Sequence, residues 1–83
     1  MKTVSMKLRK GLHVGPCYEL SKWAKQYPCS ISVKTRRGKF NAKSGLQLLQ
    51  AGLEPDEYVE FYFNGDKETQ ASIDMNNHME QFL

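Results

Sequence analysis

Hydrophobic positions along the chain follow two rhythms. Over residues 3–8 they alternate: Val4, Met6 and Leu8 share one face, and Thr3, Ser5 and Lys7 the other. A period of two predicts a strand half buried on a sheet. The alternation returns over residues 29–35, with Cys29, Ile31 and Val33 inward, and over residues 39–42, with Phe40 and Ala42 on one face. It is strongest over residues 57–63, where Val59, Phe61 and Phe63 face in and Tyr58, Glu60 and Tyr62 face out. Aromatic and β-branched content of that kind suits a strand well inside the sheet.

Helical spacing fills the gaps. Cys17, Leu20, Ala24 and Tyr27 predict a helix over residues 16–26, with Lys22 and Lys25 toward solvent and Trp23 at the edge of the inner stripe. Pro28 ends it, because the residue before a proline avoids the α region. Ser44 reads as the N-cap of a short helix carrying Leu46, Leu48 and Leu49; Gly52 closes it and Leu53 packs behind. Asn64-Gly65 carries a hairpin signal. The segment beyond that turn is nevertheless helical: Ala71, Met75, His78, Met79 and Phe82 recur at helical spacing, with Asp66 or another polar residue as cap. Ser72, Asp74, Asn76 and Asn77 are mediocre helix formers, so packing must hold this last helix, and His78 reads as a packed histidine. The order is β-α-β-β-α-β-α. Antiparallel strands with helices gathered on one face make an open-faced two-layer α+β sandwich whose other sheet face stays wet.

Composition narrows the function classes. The chain has 83 residues, which predicts a single domain over residues 1–83. A domain of this size buries only roughly 60–65% of its unfolded surface, too little to enclose a pocket of several hundred Å3. The net charge of +3 suits acidic protein partners. Arg36-Arg37-Gly38-Lys39 reads as a solvated hairpin tip, and Glu57, Glu60, Asp66 and Glu68 interrupt any basic stripe, so no nucleic-acid partner is expected. Cys17 and Cys29 form neither a CxxC pair nor a metal-spaced set and read as buried thiols of a reducing compartment. His13 and His78 are far apart, with no carboxylate at ligand spacing, so neither metal nor other cofactor is expected. No signal peptide is evident and no apolar run nears the ~20 residues that span a bilayer. The expectation is a cytoplasmic monomer without membrane insertion.

The chemistry concentrates in Gly11-Leu12-His13-Val14-Gly15-Pro16. Pro16 suits the first turn of a helix, where a missing N–H costs nothing. That sets His13 at or just outside a helix N-terminus, where unpaired amides and the helix dipole favour an anion.

Two stretches together resemble the HPr family, the histidine-containing phosphocarriers of the bacterial sugar phosphotransferase system. One is Gly11-Leu12-His13 with Pro16 three residues on; the other runs from Gly38-Lys39 through Ala42-Lys43-Ser44 into Leu46. The resemblance spans nearly the whole chain. It implies an antiparallel sheet of order 1-4-2-3 with three helices on one face, and a phosphoryl carrier with no turnover of its own. His13 would accept the phosphoryl group on Nδ1 from an Enzyme I-like donor and pass it to EIIA-like acceptors. Val14 and Gly15 would supply phosphate-binding amides. Ser44 matches the serine that a dedicated HPr kinase phosphorylates in many Gram-positive bacteria. Lys22, Lys25, Leu46 and Leu49 match positions that face partner proteins. One departure stands out: the family normally has arginine two residues after the histidine, and this chain has Gly15. An arginine on a transferring phosphoryl group is worth several kcal/mol. The alternative is therefore an HPr-like regulatory or interaction module with weak or lost phosphotransfer, unless Arg9 or Lys10 substitutes.

Overall fold

The structure is a computed structural model. It describes the backbone of residues 1–82 and the side chains of residues 1–79. The elements are β1 (Lys2–Lys7), α1 (Val14–Ala24), β2 (Ser30–Thr35), β3 (Gly38–Asn41), α2 (Gly45–Ala51), β4 (Tyr58–Asn64) and α3 (Glu68–Phe82). The four strands form one antiparallel sheet of order β1-β4-β2-β3. The fold is the α+β open-faced sandwich expected.

Register explains why the sheet holds. Val4, Phe61, Val33 and Phe40 lie opposite one another across all four strands. Their side chains form one row on the inner face, because positions in register share a face. β4 is central, and Val59, Phe61 and Phe63 are essentially fully buried. Each such side chain contributes about 1.5–3 kcal/mol over leaving it in water. Leu20 from α1, Leu48 from α2 and Met75 and Met79 from α3 close the same core.

Some boundaries move. α1 begins at Val14, two residues before the predicted start, so Pro16 is its third residue; a proline there is still in the first turn, where its missing N–H has no acceptor to reach. The helix ends at Ala24 instead of residue 26: Gln26 N–H bonds to Trp23 O and Tyr27 N–H to Ala24 O, a tight three-residue pattern that closes the last turn. α3 starts at Glu68, and its cap is not Asp66. The Glu68 carboxylate accepts the Gly65 N–H (3.2 Å), while Lys67 takes a left-handed φ of 63° just before the helix. The predicted inward position of Phe82 lies outside the described side chains.

Long-range contacts tie α1 to α3 and the β2–β3 hairpin to α2. Tyr27 O–H donates to Asp74 on α3, and burial with that bond pushes its phenol up to about 12. Trp23 stacks on His78 with ring centroids 5.0 Å apart. His78 is thus a packed histidine, and burial holds its pKa below the ordinary histidine value. Residues 36–39 form an exposed tip, as expected, and Arg37 adds an anchor to it. Its Nη1 donates to Ala51 O (3.0 Å) and to both Glu57 carboxylate oxygens (3.2 Å), clasping the β2–β3 hairpin to the end of α2.

Candidate functional site

His13 is the N-cap residue of α1, in extended conformation (φ −92°, ψ −170°). Its carbonyl accepts the first helical bond, from Cys17 N–H at 2.9 Å. Its side chain makes no capping bond and is exposed. The first-turn amides of Val14 and Gly15 donate to no atom among the described residues, and Pro16 has no N–H to give. Two bare amides therefore stand beside an unemployed imidazole at the positive end of an 11-residue helix.

The loop carrying His13 is held from behind. Leu12 N–H donates to Leu53 O (2.9 Å), and both side chains are buried. The Cys17 thiol points at Leu12 O (3.5 Å); burial raises its pKa, which keeps it protonated. Gly11 is squeezed: a Cβ there would come within 3.1 Å of both Leu53 O and Pro55 Cδ. Gly15 is the opposite case, because a Cβ there would meet nothing within 4 Å. Packing does not require glycine at the position where an arginine is expected. A side chain would have room.

His13 lines an open depression of about 290 Å3 with Leu12, Val14, Leu49, Gly52 and Glu54. Neither Arg9 nor Lys10, the cations nearest to it in the sequence, lines it. Around it lies an apolar patch: Val14 is 57% exposed, Tyr18 50%, Leu46 56% and Leu49 38%. Val14, Tyr18 and Lys22 follow helical spacing down one stripe of α1, with Lys25 at its end. Lys22 and Lys25 lie roughly 12 and 16 Å along the axis from the helix start, so they flank the patch at a distance from the imidazole.

Ser44 is employed as a cap. Its Oγ accepts the Gln47 N–H at 3.1 Å. Gln47 in turn accepts the Asn41 N–H (2.8 Å), tying the helix start to the end of β3. Two features escaped sequence reasoning. Glu54 joins His13 in one depression only through the Leu12–Leu53 bond, which no spacing announces. The Tyr18 ring lies over Gly45, so close that a Cβ on that glycine would sit 2.5 Å from it. An aromatic near one helix start and a glycine opening the next are the sequence trace of that contact, and it is faint.

An open-faced sandwich that presents a histidine at a bare helix start has the architecture of the histidine-containing phosphocarriers. The chain belongs to the HPr family: the family model for the PTS HPr component phosphorylation site matches residues 1–81. Members of this family are phosphocarriers of the phosphotransferase system rather than enzymes. Among solved structures, HPr-C-His from Thermoanaerobacter tengcongensis is 25% identical, with a TM-score of 0.78 over 95% of this chain and 94% of that one. The histidine-containing phosphocarrier protein of a mycoplasma is 20% identical, with a TM-score of 0.90 over 99% and 97%. Crh of Bacillus subtilis, described as a domain-swapped dimer, is 20% identical, with a TM-score of 0.77 over 98% and 93%. No curated protein sequence matches the chain. Among the described residues, no helix is long and apolar enough to cross a membrane.

Proposed function

We propose that His13 accepts a phosphoryl group from an Enzyme I-like phosphoprotein and hands it to EIIA-like acceptors. The observation that carries this is the exposed, uncapping imidazole of His13 beside the two bare amides of Val14 and Gly15. A ring nitrogen attacks phosphorus in line as the bond to the donor breaks, and the donor's group keeps that electron pair. The amides receive the phosphate oxygens, as helix starts commonly do. The apolar patch of Val14, Tyr18, Leu46 and Leu49, with Lys22 and Lys25 beyond it, is the surface on which partners dock. An apolar centre with positive charge outside it suits brief, electrostatically steered encounters. Phosphorylation of Ser44 by an HPr kinase would place about −1.5 to −2 charge at the start of α2, beside that patch.

Incubation with phosphoenolpyruvate and an Enzyme I should add one acid-labile phosphate to the chain. A His13→Ala variant labelled as well as the natural chain would end this proposal.

A second reading has its own support. Neither lysine nor arginine lines the depression, and Glu54 does. On that ground the chain would be an HPr-like regulatory or interaction module with weak transfer. Gly15→Arg separates the two: a sharp rise in transfer favours the module, and no rise favours a carrier that works without the arginine.

A further inference from the structure

We propose that Glu54 sets the lifetime of the phosphoryl group on His13, and shortens it. The inference rests on His13 as the phosphoryl acceptor. The Leu12–Leu53 hydrogen bond (2.9 Å) joins two loops, and the next residue of each, His13 and Glu54, is exposed in the shared depression. Glu54 is anchored through its backbone, whose N–H donates to Glu57 Oε1 (3.2 Å). The Glu57 carboxylate is itself neutralised by Arg37. Glu54 has no ion-pair partner among the described residues, and no cation lines the depression.

A phosphoryl dianion on His13 thus has two amides in its favour and one carboxylate against it. Like charge raises the energy of the phosphorylated form and is relieved when the group departs. That relief hastens hydrolysis. In that step the water oxygen bonds to phosphorus and the P–N bond breaks. The nitrogen takes the bonding pair and one water proton, and the other water proton leaves with the released phosphate.

The test needs no partner protein. Phosphoramidate phosphorylates exposed histidines directly, and 31P NMR tracks the decay of the phosphohistidine signal in the purified chain. His13→Ala identifies that signal. Glu54→Gln should lengthen its half-life roughly three- to fivefold, and the difference should collapse at about 1 M salt, where screening reaches a few Å. Glu54→Asp should keep the short half-life, which a purely packing role would not. An unchanged half-life in Glu54→Gln, or a change that persists in high salt, overturns the proposal. If Enzyme I fails to label His13 while Glu54→Gln still lengthens the chemical half-life, the carrier reading falls and the Glu54 effect stands.

Discussion

The starts of α1 and α2 solve one problem in opposite ways. Every helix begins with amides that have no partner inside it. α2 has a side-chain cap and a covered first residue: Ser44 accepts the Gln47 N–H, and Gly45 is sealed beneath the Tyr18 ring. α1 leaves its amides bare: His13 caps nothing, Val14 and Gly15 donate to no described atom, and Gly15 faces open space. One start is built for stability. The other forgoes a cap, worth about 1 kcal/mol, and leaves two amides open, the pair that would receive the phosphate in the proposed function.

The strongest way to break this contrast is to give α1 the cap of α2. In His13→Ser the hydroxyl should accept the Gly15 N–H, the sole amide within reach now that Pro16 occupies the next position. Stability should rise by up to about 1 kcal/mol, read from denaturant unfolding. Phosphoryl acceptance from Enzyme I should drop to background. A variant that is both less stable and inactive would mean that His13 already serves the helix.

Next in size is the cation. Gly15→Arg has room at its Cβ. If the module reading is right, transfer from Enzyme I should rise by about 10²-fold, the scale of one well-placed donor on a transferring group. Single-turnover labelling measures it. An unchanged rate would show that the bare amides of α1 suffice.

The two helix starts also differ in how much the sequence discloses. The Ser44 cap and the Gly52 stop are written in residue types that act locally, and both are where their chemistry predicts. The sheet is legible for the same reason: alternation in each strand fixes which side chains face in, and Phe61 and Phe63 leave little choice of centre. The start of α1 is less legible, because a proline suits any first-turn position, and Pro16 turns out third and not first. Arg37, Glu54 and the Tyr18–Gly45 contact were hidden because each depends on loops meeting across the fold. Spacing reports a face; it does not report which loop lies opposite. Asp66 shows the same limit, since the residue that serves the start of α3 is Glu68, set by the left-handed turn at Lys67.

A pair of glycines sharpens the contrast further. Gly15→Ala should be neutral or slightly stabilising. Gly45→Ala should cost about 1–3 kcal/mol, because its Cβ would stand 2.5–2.9 Å from Tyr18 ring atoms and the ring must move. In a Tyr18→Ala background the same substitution should cost nothing, so the double-mutant cycle should show strong coupling. Equal costs in both backgrounds would mean that the ring does not rest on Gly45.

The smallest expected effect is at Ser44, and it is the one that tests whether the division of labour is complete. Ser44→Ala removes the acceptor of the Gln47 N–H and should cost about 1 kcal/mol. The Asn41–Gln47 bond (2.8 Å) remains, so α2 keeps its attachment to β3 and the loss should stay near that value. Because the hydroxyl serves only the helix in the unphosphorylated chain, the rate at which His13 is labelled by Enzyme I should stay within about twofold, which is roughly 0.4 kcal/mol or less. Ser44→Asp should restore the lost stability, since a carboxylate caps as well as a hydroxyl and also complements the helix dipole. Its charge would sit at the start of α2 beside Leu46 and Leu49, so labelling by Enzyme I should slow while folding is normal. Were both variants equally stable and equally fast, Ser44 would be neither a cap of consequence nor a position from which charge reaches the docking patch.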